Sequence, residues 1–100
     1  MRNRYLRYEK IKSFNDGITV NVNKPYIENF EESYEAIKIW CNNFSNCNFI
    51  KLYINNSTDY IRLDPLNNTL EILEMSIDSI KIEVDSNREE DTLVQVLLLR

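Results

Sequence analysis

The chain of 100 residues has no histidine, one glycine, two prolines and two cysteines. Without histidine there can be no Ser-His-Asp or Cys-His arrangement and no imidazole metal ligand. The usual general base that titrates near neutrality is missing too. The lone glycine, Gly17, cannot form a phosphate-cradling loop, which needs several. A structural zinc site takes about four ligands, and Cys41 and Cys47 offer two. Their spacing is not that of a CxxC redox motif. Cys41 reads as a buried small hydrophobe and Cys47 as a loop thiol, with a Cys41–Cys47 disulfide as the alternative. Long apolar runs are also lacking. The longest lies within residues 93–99, far short of the ~18 residues of a membrane span. The N-terminal stretch carries charge but no apolar core of a secretory signal. These absences lead to the expectation of a cytoplasmic protein with no catalytic residues, no metal and no cofactor.

Carboxylates are plentiful: Glu31, Glu32 and Glu35; Glu71, Glu74 and Asp78; and Glu89, Glu90 and Asp91. Glycosidase or metal chemistry needs such groups to converge on a pocket, and nothing in their spacing requires it. The calcium-loop pattern Asp-x-Asp-x-Asp-Gly does not occur. The carboxylates therefore read as solvated surface.

The composition is that of one folded domain spanning residues 1–100, with 43% hydrophobic and 28% charged residues. The net charge of −4 is unevenly placed. Residues 1–12 hold five basic side chains against Glu9, a net of +4, and the other 88 hold seven basic against fifteen acidic, a net of −8. The pattern is a basic arm on an acidic body.

Residues 5–14 alternate loosely, Asp16-Gly17 suits a hairpin turn, and residues 18–22 alternate cleanly, so the first unit reads as a β-hairpin. Residues 30–44 read as a helix. Asn29 suits an N-cap, Glu32 sits at the capping-box position, and Phe30, Tyr34, Ile37, Cys41 and Phe44 recur at helical spacing with Trp40 beside them. The remainder reads as strands over 49–54, 60–63, 69–75, 77–84 and 93–99, divided by Asn-, Asp- and Pro-rich turns. A helical reading of residues 70–75 also fits the spacing. The expected fold is α+β: one amphipathic helix packed on a mainly antiparallel meander sheet, in the order ββ-α-βββββ.

Three surfaces stand out. On the expected helix, Glu31, Glu32 and Glu35 face solvent with Ile39 among them, an acidic face with one apolar anchor. In residues 93–99, Leu93, Leu97 and Leu99 oppose Val94, Val96 and Leu98, so a second apolar row is either covered or offered to a partner. This strand could also pair edge-on with a second copy, giving a homodimer. Finally, Phe49, Lys51 and Tyr53 share one strand face, and Tyr60 and Arg62 share that of the next. If the strands pair, they form an aromatic–basic patch of the kind that stacks single-stranded nucleic acid, aided by Arg4, Arg7 and Lys10 in the basic arm.

The leading functional expectation is a small acidic, non-enzymatic protein-binding domain. It would act as an inhibitor that occupies a basic surface of a target enzyme, as immunity proteins, antitoxins and phage anti-defence proteins such as anti-CRISPRs do. The alternative is a nucleic-acid-binding accessory protein that uses the basic arm and the aromatic patch.

Overall fold

A computed structural model describes residues 10–14 and 16–100. Among these residues there is no helix, and the fold is all-β. The strands are β1 (Ile11–Ser13), β2 (Ile18–Val20), β3 (Tyr26–Tyr34), β4 (Ala36–Trp40), β5 (Phe49–Ile54), β6 (Ile61–Leu63), β7 (Thr69–Ile72), β8 (Ile77–Asp85) and β9 (Thr92–Leu99). They form two antiparallel sheets. One has the order β1-β9-β4-β7, with β2 also paired to β9, and the other the order β3-β8-β5-β6. Apolar side chains from both sheets meet in one core, including Val20, Ile37, Ile39, Val94, Val96 and Leu98 from the first and Ile50, Leu52, Leu63, Ile80 and Ile82 from the second.

The expected α+β fold is therefore wrong, and the error lies in residues 30–44. This stretch is two strands separated by a break at Glu35. β3 turns Tyr26, Glu28 and Phe30 inward and pairs with β8, where its register slips between Asn29 and Tyr34. β4 then enters the other sheet, between β7 and β9, with Ile37 and Ile39 fully buried. The inward positions are thus even-numbered before the break and odd-numbered after it. That change of parity spaces Phe30, Tyr34, Ile37 and Cys41 by alternate fours and threes, imitating a helical stripe. The β-branched and aromatic residues of this stretch suit a pleated surface, and long-range pairing decides the outcome. The alternative helix over residues 70–75 fails likewise, because β7 pairs with β4.

The expected hairpin and meander are also corrected. β1 and β2 do not pair with each other; both lie along β9, at its C-terminal and N-terminal halves respectively. Gly17 makes the turn between them at φ +77°, where its amide donates to the Phe14 carbonyl. A Cβ at Gly17 would lie 2.7 Å from Leu93 Cδ1, so both conformation and space call for glycine. Among the named strands, β5 and β6 are the one pair adjacent in both sequence and sheet. The other pairings are non-local.

Candidate functional site

The alternation of β5 buries Ile50, Leu52 and Ile54 and turns Phe49, Lys51 and Tyr53 outward. β6 pairs with β5, setting Lys51 opposite Arg62, and β8 pairs on the other side, setting Lys81 opposite Tyr53 and Glu83 opposite Lys51. Five residues expected from the sequence to form a patch do come together here on the outer face of the four-stranded sheet. The Phe49 and Tyr60 rings are near-parallel with centroids 6.5 Å apart, and Tyr53 leans on Tyr60 at 5.6 Å. Arg62 Cζ lies 4.1 Å from the Phe49 centroid and Lys51 Nζ 5.1 Å from that of Tyr60. Lys81 Nζ, which the sequence reading missed, stands 5.2 Å from the Tyr53 ring. Its outward place in β8 was legible, but not the pairing of β8 with β5.

Carboxylates accompany the cations. Arg62 Nε donates to Asp64 Oδ2 at 3.1 Å, and Lys81 Nζ lies 3.3 Å from Glu83 Oε2. The Asp64 carboxyl is held below its ordinary pKa by the Asn67 backbone amide, then by the Leu66 amide and Arg62. The Tyr53 hydroxyl is raised by burial and by its hydrogen bond to the Glu83 carboxylate. Two of the three cations thus have a carboxylate partner, and the apolar substance of this face is aromatic. Tyr60 is 43% exposed.

The second surface is the outer face of the five-stranded sheet. β9 buries Thr92, Val94, Val96 and Leu98 and turns Leu93, Gln95, Leu97 and Leu99 outward. Leu93 is 49% exposed, and Leu97 and Leu99 are half-buried. Ile11, opposite Leu99 on β1, is 71% exposed. Leu97 and Leu99 join Ala36 and Leu73 around a shallow depression of about 250 Å³ that Lys38 and Glu71 border. β9 pairs with β1 and β2 along one edge and with β4 along the other. β9 has a neighbouring strand on each edge, so the expected edge-on pairing of this strand with a second copy is closed. Any partner must meet the side-chain face.

No protein-family model matches this chain, and no curated protein matches it.

The acidic helix face does not exist as a surface. Ile39, its expected anchor, is 0% exposed in the core. Glu31 and Glu32 are exposed at the irregular end of β3, where Glu32 is hydrogen-bonded by Arg100, and Glu35 lies at the break before β4. Of the basic arm, Arg4 and Arg7 lie outside the described residues. Lys10 is exposed, and its backbone exchanges hydrogen bonds with Arg100. Cys41 and Cys47 are both free and buried, with burial raising the pKa of each thiol. Among the described residues no group of three or more His, Cys, Asp or Glu side chains could hold a metal ion, and no helix is long and apolar enough to cross a membrane.

Proposed function

We propose that this chain is a non-enzymatic protein-binding domain that inhibits its target by covering it with the outer face of β3-β8-β5-β6. The observation that carries this reading is the cluster of Phe49, Tyr53 and Tyr60 with cations set against the rings and carboxylates against two of those cations. Tyrosine, phenylalanine and arginine held on a rigid sheet match the composition of interface hot spots. The net charge of −4 favours a target with a basic surface, because long-range attraction speeds encounter.

The second reading, single-stranded nucleic acid on the same rings, draws support from the aromatic and basic side chains. Two features weigh against it. Arg62 and Lys51 already occupy ring faces that bases would stack on, and Asp64 and Glu83 would repel phosphates. The test is affinity capture from the organism of origin with wild type and with Tyr60→Ala/Arg62→Ala, followed by titration of the retained protein. The double variant should keep its thermal stability and lose about tenfold or more in affinity. A retained protein that bound both forms equally would sink the proposal. Tight, steeply salt-dependent binding of a single-stranded oligonucleotide would install the second reading instead.

A further inference from the structure

The outer face of the five-stranded sheet takes no part in the proposed target site, and its chemistry differs from the rest of the molecule. Leu93, Leu97 and Leu99 run along it on β9, a central strand, with Ile11 beside them on β1 and Trp40 on β4. Gln95, Ser13 and Thr19 are its polar members nearest this row. At the outward positions of the five strands the charged residues are Lys38 and Glu71, which face each other across β4 and β7. The face is therefore electrically neutral, on a body in which residues 13–100 hold seven basic and fifteen acidic side chains.

From this combination we infer that the chain forms a two-fold symmetric homodimer, with the β9 faces of two copies packed sheet on sheet. Three observations select a second copy as the occupant. Two acidic bodies repel, so self-association needs a patch without net charge, and this face is one. A basic target has nothing to pair with here, since the single carboxylate is matched by Lys38. In a two-fold contact the patch meets itself, so the leucine rows bury each other and neither face brings net charge to the contact, Lys38 standing beside Glu71 of its own copy. The size suits a weak dimer. At about 3.3 Å per residue and about 4.8 Å between strands, the eight residues of β9, five of β4, four of β7 and three each of β1 and β2 give a flat face of roughly 360 Å² per copy. About 700 Å² over the pair lies below the roughly 1,000 Å² of stable interfaces, so association is in the micromolar range, and twisted sheets stack readily at about −30°. A dimer of this kind places the two aromatic faces on opposite outer sides, so each can engage a target.

The experiment is sedimentation equilibrium of the full chain over about 1–100 μM, the range of a small apolar interface. Wild type should show twice the monomer mass at the upper end. Leu93→Lys/Leu97→Lys should shift the dissociation constant by tenfold or more while the circular dichroism stays that of the wild type. Because that variant could also disturb folding, Lys38→Glu gives an independent reading. It should weaken association, and Lys38→Glu/Glu71→Lys should restore it. A wild type that remains monomeric at 100 μM, or a dimer indifferent to all these changes, overturns the inference. The proposed target site stands or falls separately, through Tyr60 and Arg62.

Discussion

Lys12, Glu28 and Tyr26 tie the two sheets together where β1 passes β3. Lys12 Nζ donates to Glu28 Oε2 at 2.6 Å, and the Tyr26 hydroxyl donates to Glu28 Oε1. Burial pushes the Glu28 carboxyl upward, but the hydrogen bonds from Lys12 and Tyr26 outweigh it and leave the carboxyl below its ordinary pKa. Lys12 is raised by the hydrogen bond to Glu28, and Tyr26 is raised by burial and by the same carboxylate. The sign of the pH dependence follows. A lowered Glu28 stabilises the fold above the ordinary carboxylate range, and that contribution is lost as pH falls through the folded value. Raised Lys12 and Tyr26 contribute below their ordinary values and lose that contribution as pH rises through the folded ones. Stability from this group should be level near neutrality and fall below about pH 4 and above about pH 10. Glu28→Gln should cost about 1 kcal/mol at neutral pH, reduced by screening at half-exposed Lys12, and should flatten the acid limb. Urea midpoints measured across pH for both proteins check this. An acid limb unchanged by the substitution would assign it to other carboxylates.

At the scale of elements, β4 distinguishes the strand from the helix that its sequence resembles. Ile37 and Ile39 lie on one face of β4, whereas a helix would set them about 200° apart. Ile37→Ala and Ile39→Ala should therefore each cost about 2–5 kcal/mol, and Lys38→Ala between them under about 1 kcal/mol. Chemical denaturation of the three variants measures this, and a small loss at Ile39 would return it to the surface. β5 and β6 were legible because clean alternation and a short Asn-rich turn define both at short range. The turn uses Asn55 and Asn56 at positive φ, a conformation asparagine tolerates. β3 and β4 were not legible, because the parity change at Glu35 reproduces helical spacing and Asn29 and Glu32 imitate a cap.

For the whole molecule, the order β1-β9-β4-β7 and β3-β8-β5-β6 makes nearly every pairing distant in sequence. β1 and β2 pair with β9, at the far end of the described residues. Loop closure must then precede most of the stabilising contacts, so folding should take milliseconds to seconds, well above the microseconds of helical domains. Stopped-flow refolding followed by Trp40 fluorescence should show that phase with the full amplitude. Completion within the instrument dead time would contradict the topology.

By itself, the sequence determined the local matters: the strands after residue 48, the turn at Gly17, the absence of histidine, and which side chains share one strand face, Phe49-Lys51-Tyr53 and Leu93-Leu97-Leu99. Each is set by composition or by period-2 alternation, which a strand carries within itself. The tertiary structure alone decided which strands pair. It placed Ile39 in the core, brought Lys81 beside Tyr53, enclosed β9 along both edges, and left the leucine row facing outward. The physical reason is that alternation defines the two faces of a strand but leaves its edges unassigned. Edge partners here are chosen by burial between two sheets, between residues far apart in the chain.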